Sequence, residues 1–128
     1  MATLDEVMEL LREACPEFRP RYEEYLRAFY DPDQVPEQTP YADVSAFTTY
    51  LIDAFETGRT RDFSAAFALA ERLLDEGDDE MKNWVVAGLL EGLQNQLSHT
   101  NLGYDVYLPW LGPKSRYCWQ KLIEAWGG

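Results

Sequence analysis

The fold is decided by residues 81–97, whose sequence is MKNWVVAGLLEGLQNQL. Apolar residues in this stretch recur every three or four positions, which is the spacing of one helical face, and they extend onto the neighbouring faces. A helix that is apolar on most of its sides is one that other elements surround. We therefore expect a central helix that begins at Asp78 or Asp79. Its apolar positions are Met81, Trp84, Val85, Gly88, Leu89, Leu93 and Leu97.

Two helices are predicted near the start of the chain. Thr3 and Glu6 have the spacing of a capping box, in which Thr3 accepts a hydrogen bond from the backbone amide of Glu6 and the Glu6 carboxylate reaches back. Pro16 ends the first helix, because proline has no amide hydrogen to donate to it. Pro20 suits the first position of the second helix, which is predicted to end at the Asp-Pro pair of residues 31–32.

A third helix follows a surface loop. Residues 31–40, DPDQVPEQTP, are rich in proline and poor in apolar side chains, which is typical of a loop. Thr39 and Pro40 are a favourable N-cap and first-turn pair for the next helix. Gly58 can take the left-handed conformation that ends a helix. The third helix is therefore predicted between Pro40 and Gly58.

Two more helices complete the set of six. Asp62 and Gly77 bracket the fourth helix in the same manner as the cap and glycine of the third. A Gly-Pro pair at residues 112–113 opens the sixth. The pattern predicts an all-α fold of about six helices, arranged as an irregular bundle or a short solenoid-like stack, in one domain over residues 1–128. The apolar positions of the sixth helix are Tyr117, Trp119, Leu122, Ile123 and Trp126.

Composition supports a packed core without covalent help. The chain has 128 residues, of which 46% are hydrophobic and 14% aromatic. Its two cysteines, Cys15 and Cys118, are far apart and lack metal-knuckle spacing, so we expect reduced thiols. The first residues, MATLDEVMELLREAC, lack the basic start and long apolar run of a signal peptide, and about 18 consecutive apolar residues occur nowhere. A cytoplasmic chain without a membrane span is expected.

The net charge of −12 is unevenly distributed along the chain. Residues 1–97 hold 21 acidic and 8 basic side chains, whereas residues 98–128 hold 2 and 3. Such a surface repels nucleic-acid phosphates and anionic lipid headgroups, so we expect neither nucleic acid nor a membrane as partner. It can attract a basic protein by long-range steering. The alternative is that the acidic side chains only solvate the helices.

An acidic run lies where the fourth helix ends and the fifth begins. Acids at the start of the fifth helix are favourable because they face the positive end of its dipole. Asp75 and Glu76 lie at the unfavourable end of the fourth helix, so capping does not explain them. The excess indicates a surface for a protein partner. Its residues are Asp75, Glu76, Asp78, Asp79 and Glu80.

A polar ridge on the fifth helix is a second candidate. Glu91, Asn95 and His99 follow one another at four-residue intervals and so share a face. Asparagine is a poor ligand for zinc or iron, so we expect neither a metal nor another cofactor there. One interpretation is structural: His99 favours the negative end of the helix dipole, while Glu91 and Asn95 hydrogen-bond a neighbouring loop. The other interpretation is contact with a partner.

Catalytic chemistry is not expected. His99 is the single histidine, and no nucleophile with an oriented base is recognisable beside it. Lys114 and Lys121 lie near Cys118 on the sixth helix and could lower the pKa of that thiol. A buried structural cysteine is the favoured interpretation of Cys118. We therefore expect a protein that is not an enzyme.

The segment 98–111 is a third candidate, because connections of this length without secondary structure often bind something. It carries Tyr104, Asp105, Tyr107 and Trp110. Aromatic residues of this kind are enriched at interface hot spots, and they equally suit a role in covering the open end of the core. Both alternatives stay open from the sequence.

The last third of the chain resembles a group of small bacterial helical proteins of largely uncharacterised function. Their tail has the pattern LE-x-LQN, LGP-x-S and W. The resemblance implies a small acidic protein similar to immunity proteins, which neutralise bacterial toxins. It supplies no catalytic residue. The matching positions are Leu90, Glu91, Leu93, Gln94, Asn95, Leu111, Gly112, Pro113, Ser115 and Trp119.

Together these features predict an acidic protein-binding domain. The expected function is that of an immunity-type inhibitor, which blocks a basic bacterial toxin domain by steric and electrostatic occlusion. The alternative is an adaptor or structural interaction module in a larger assembly.

Overall fold

The computed structural model describes residues 3–29 and 40–126. Six helices make up most of this part of the chain, and no strand occurs within it, so the all-α prediction is confirmed. The helices are α1 (Val7–Ala14, preceded by a 3₁₀ turn at Leu4–Glu6), α2 (Arg19–Phe29), α3 (Pro40–Glu56), α4 (Phe63–Glu76), α5 and α6 (Pro113–Ala125). Helix α5 consists of three consecutive stretches, Asp79–Asn83, Trp84–Leu90 and Glu91–Leu97.

Helix α5 lies at the centre, as its apolar pattern predicts. It packs against α3, α4 and α6, and its side chains at Met81, Trp84 and Leu90 are fully buried. The middle stretch, Trp84–Leu90, is π-helical, and at its end the amide of Glu91 donates to the carbonyl of Val86, five residues back. The wider π turn is a departure from the regular helix that the spacing predicts.

The other helices form an irregular bundle around α5. Helix α1 packs against both α3 and α4, α2 packs against α3, and α4 packs against α6. In a solenoid each repeat contacts only its neighbours. Because α4 contacts α1, α5 and α6, the arrangement is a bundle, which decides between the two predicted alternatives.

Aromatic rings fill two parts of the core. Near the α1–α2 turn, the Phe18 ring lies 4.9 Å from that of Phe47 and 5.5 Å from that of Tyr50. Near the start of α4, the Tyr107 ring lies 5.8 Å from that of Phe63. Offset and edge-to-face ring pairs at such distances stabilise the fold by about 0.5–1.5 kcal/mol per pair, beyond the contribution from burying their apolar area.

The predicted N-caps are formed only in part. Asp78 caps α5 as expected, since its carboxylate accepts from the amide of Met81 at 2.9 Å. The capping box is wrong: the Thr3 hydroxyl donates to the Glu6 carboxylate at 2.9 Å instead of accepting from the Glu6 amide. Asp62 does not cap α4 either, because its carboxylate accepts from the amide of Glu17 at 3.1 Å. Long-range contact thus displaces a local cap.

The glycines predicted to end α3 and α4 have different roles. Gly58 has a φ of 75°, so the left-handed end of α3 is confirmed. Gly77 is extended, with φ −71° and ψ 161°, and the expectation of a left-handed end is wrong there. A Cβ at Gly77 would lie 2.5 Å from the carbonyl oxygen of Leu73 and 2.8 Å from the side chain of Met81. Close packing, not backbone conformation, requires this glycine.

The predicted prolines lie at or beside helix ends. Pro16 follows α1, Pro20 is the second residue of α2, one later than predicted, and Pro113 is the first residue of α6. Thr39 and the predicted loop and helix end at residues 31–39 lie outside the described residues. Within the described ranges, no helix is long and apolar enough to cross a membrane.

Candidate partner-binding surface

The acidic corner comprises Asp75, Glu76, Asp78, Asp79 and Glu80, all of which are exposed. Asp75 lies 2.7 Å from the ammonium of Lys114, whose hydrogen bond and charge lower the pKa of Asp75. Asp75 therefore has an ion-pair partner within the protein. Asp78 also has an internal role, as the N-cap of α5.

Three carboxylates of the acidic corner have no partner among the residues that the structure describes. The side chains of Glu76, Asp79 and Glu80 make no hydrogen bond or ion pair with any residue in these ranges. Asp79 and Glu80 lie in the first turn of α5, where negative charge is favoured by the helix dipole. Glu76 is the last residue of α4, where the helix dipole disfavours negative charge. These three side chains are the part of the acidic corner available to a partner.

Glu71 forms a contact between α4 and the start of α6 that the sequence does not indicate. Its carboxylate accepts from the amides of Lys114 at 3.0 Å and Ser115 at 2.9 Å, and from the Ser115 hydroxyl at 2.9 Å. Burial raises the pKa of Glu71, but these hydrogen bonds and the charge of Lys114 outweigh it, so the pKa lies below its usual value. A Cβ at Gly112 would lie 2.6 Å from the Glu71 carboxylate, so this contact requires glycine there.

Gln94 joins α5 to α6, a second contact that the sequence pattern does not predict. It is fully buried; its amide nitrogen donates to the carbonyl of Trp119 at 3.0 Å, and its amide oxygen accepts from the Trp126 indole at 3.1 Å. The available signal was a glutamine directly after the apolar position Leu93 in a helix that is apolar on most of its sides. Gln94, Gly112, Ser115 and Trp119, which belong to the tail pattern, thus have structural roles.

The polar ridge has no such internal role. Glu91 is half-buried, while Asn95 and His99 are exposed. Their side chains make no hydrogen bond within the parts of the chain described, so the predicted contacts of Glu91 and Asn95 with a neighbouring loop are not observed. His99 lies in the turn after α5. The ridge remains a candidate surface.

The segment 98–111 is held against the body of the protein. Tyr107 is 0% exposed, and its hydroxyl donates to the carbonyl of Leu51 at 2.8 Å, while burial raises its pKa. The prediction that Tyr107 anchors a partner is therefore wrong, because this side chain covers the core. Trp110 is half-buried, with its ring 5.0 Å from that of Phe63. Tyr104 is half-buried, and its backbone carbonyl accepts a hydrogen bond from the Trp119 indole. Asp105 is exposed.

The surface of α6 differs from its predicted apolar face. Trp119 is buried, but Tyr117 is 66% exposed and Trp126 is 51% exposed. The ammonium of Lys121 lies 5.6 Å from the centre of the Tyr117 ring. Tyr117 within α6 and Trp126 just after it thus expose aromatic area that the helical period alone assigned to the core.

Neither cysteine has the properties of a reactive thiol. Burial, followed by the charge of Asp62, raises the pKa of Cys15 to about 12. Burial and the charge of Glu71 raise the pKa of Cys118, so Lys114 and Lys121 do not lower it, in agreement with the favoured structural interpretation. Both cysteines are unpaired. Across residues 3–29 and 40–126, no three His, Cys, Asp or Glu side chains are grouped as a metal site.

No curated protein and no solved structure matches this chain. The expected membership of an uncharacterised family is confirmed, since a family model extends over nearly the whole chain. The chain belongs to the family described as Domain of unknown function (DUF7674), whose model matches residues 8–127.

Proposed function

We propose that the chain is an immunity-type inhibitor, which binds a basic toxin domain in the bacterial cytoplasm and blocks its active surface. The observation that carries this proposal is a set of three exposed carboxylates at the acidic corner, Glu76, Asp79 and Glu80, which have no partner among the described residues. The proposal assigns no catalytic step to the chain, and His99→Ala should leave its activity intact.

Long-range attraction is the first part of the proposed mechanism. Residues 1–97 carry a formal charge of −13 and residues 98–128 a charge of +1. A basic partner is drawn to the acidic part, which raises the association rate. The internal contacts of Asp75 and Asp78 leave Glu76, Asp79 and Glu80 as the groups that meet the cations of the partner.

Aromatic contact is the second part. With Tyr107 in the core, Trp110 and Tyr104 are the aromatic candidates in the segment 98–111. Trp110 lies beside Phe63 at the start of α4, and the acidic corner lies at its end, about 20 Å away at 1.5 Å per residue. One interface of ordinary size, about 800 Å² per partner, can span that distance.

The test begins with capture of a partner from the source cell and continues with association kinetics. One variant combines Glu76→Gln, Asp79→Asn and Glu80→Gln. The control combines Glu13→Gln, Glu24→Gln and Glu56→Gln, which are exposed acids outside the acidic corner, and it changes the net charge equally. The corner variant should slow association several-fold more than the control.

Salt provides a second arm of the same experiment. Raising the salt from about 0.05 to about 0.5 M shortens the Debye length from roughly 14 to 4 Å, so association should slow for the wild type and less for the corner variant. Equal rates for both variants, or rates independent of salt, would show that the acidic corner serves solubility alone.

Inhibition separates the proposed function from an adaptor. Coexpression of the chain should protect cells from the captured partner, and the purified chain should inhibit the partner's activity at equal molarity. Binding without protection or inhibition would favour the adaptor or structural module.

A further inference from the structure

Among the described residues, three buried side-chain atoms have no hydrogen-bond partner, which are Nε of Arg12, Oε2 of Glu17 and the hydroxyl of Tyr50; the last two are considered together because they lie near the α1–α2 turn. Tyr50 on α3 is 1% exposed, and its hydroxyl makes no hydrogen bond to any described residue. The same holds for Oε2 of Glu17, which is buried although the residue as a whole is half-exposed. Buried polar groups in proteins almost always have a hydrogen-bond partner, either protein or ordered water.

Both atoms belong to one junction of three segments. The Tyr50 ring lies 5.5 Å from the ring of Phe18, the residue after Glu17. The amide of Glu17 donates to the Asp62 carboxylate at 3.1 Å, and the Cys15 thiol lies 3.8 Å from the Asp62 carbonyl oxygen. The α1–α2 turn, α3 and the start of α4 therefore meet beside Tyr50.

The electrostatics of Tyr50 agree with this geometry. Burial is the main cause that raises the pKa of Tyr50, and the charges of Cys15, Asp62 and Glu17 raise it further. The Tyr50 hydroxyl and the Glu17 carboxylate form no direct hydrogen bond with each other.

We propose that this junction is a binding site for one ordered water molecule, which accepts a hydrogen bond from the Tyr50 hydroxyl and donates one to Oε2 of Glu17. Water fits because it both accepts and donates, and buried waters typically have two to four polar partners. The bridge would tie the α1–α2 turn to α3.

Tyr50→Phe tests the site with Tyr107→Phe as a matched control. Both tyrosines are fully buried, but the Tyr107 hydroxyl bonds directly to the Leu51 carbonyl. Magnetic relaxation dispersion of solvent nuclei counts the long-lived internal waters of the full chain. The count should fall by one in Tyr50→Phe and stay unchanged in Tyr107→Phe.

Stability gives an independent sign. A water-mediated hydrogen bond is nearly as favourable as a direct one, so Tyr50→Phe should raise the unfolding equilibrium constant about fivefold. If the hydroxyl were buried without any partner, the same substitution would lower that constant.

Substitution of Glu17 decides the question if Tyr50→Phe does not fold, because the Glu17 side chain is half-exposed. Glu17→Ala should lose the same water, whereas Glu17→Gln, which keeps an amide oxygen, should retain it. An unchanged water count in Glu17→Ala overturns the proposal, as does a stabilising Tyr50→Phe. A crystal structure with the Tyr50 hydroxyl directly on Glu17 would also overturn it.

Discussion

Glu71→Ala should destabilise the protein by about 2 kcal/mol. The substitution removes the acceptor for the amides of Lys114 and Ser115 and for the Ser115 hydroxyl, all at 2.9–3.0 Å. Loss of an acceptor for first-turn amides costs about 1 kcal/mol, as at an N-cap. Loss of a negative charge near the helix start costs about 0.5 kcal/mol, and loss of the bond to the buried Ser115 hydroxyl costs about 0.5–1 kcal/mol.

The measurement is urea unfolding followed by circular dichroism, with Glu76→Ala as the matched control. Both are glutamates on α4, but Glu76 is exposed and has no partner among the residues described. We expect the unfolding equilibrium constant of Glu71→Ala to rise about thirtyfold and its Tm to fall by about 7 °C. Glu76→Ala should remain within about 0.5 kcal/mol of the wild type. If the two variants were equally stable, the role assigned to the Glu71 contact would be wrong.

Further predictions concern pH, a buried amide and two glycines. Folding lowers the pKa of Glu71, so the contribution of its carboxylate to stability is complete above the unfolded pKa and is lost as pH falls through the folded pKa. The difference in unfolding free energy between wild type and Glu71→Ala should therefore narrow from about pH 6 to about pH 3 in urea titrations. A difference that does not change with pH would contradict this. Gln94→Leu removes both hydrogen bonds to α6 and should cost about 1–3 kcal/mol, with a red-shifted tryptophan emission as Trp126 loosens. Gly77→Ala should lower the stability measured by thermal unfolding by about 1–3 kcal/mol, because the added Cβ meets packed atoms. Gly58→Asn should lower it by less than about 1 kcal/mol, because Gly58 faces open space and asparagine tolerates its left-handed φ. A reversed order would contradict the packing role of Gly77.

Local sequence determined the helices themselves. The 3.6-residue period placed α5 at the centre, and residues with intrinsic conformational preferences, such as Gly58, Asp78 and Pro113, end or begin helices as predicted. These outcomes depend on atoms within one turn of the chain, so the pattern of a single segment is enough. Membership of an uncharacterised family was likewise expected from the sequence, and the family model over residues 8–127 confirms it.

The candidate surface was predictable only in part. Exposure of the acidic corner follows from its charge, because ionised side chains are rarely buried. Charge alone does not show which of these acids have a partner within the protein, because Asp75 pairs with Lys114, a residue 39 positions away. The aromatic segment 98–111 was equally ambiguous, since burial of Tyr107 depends on Leu51, Phe63 and α4.

The sequence by itself therefore determined the helical class, the central helix and most helix ends, whereas the tertiary structure decided the partners of the polar side chains. Glu71 meets Ser115 across 44 positions, and Gln94 meets Trp119 across 25. Such hydrogen bonds depend on how helices cross and at what depth, which no local period encodes. Gly77 differs in range, because a Cβ there would meet the Leu73 carbonyl oxygen and the Met81 side chain, each four residues away, and the requirement for glycine arises from how the chain packs where α4 gives way to α5.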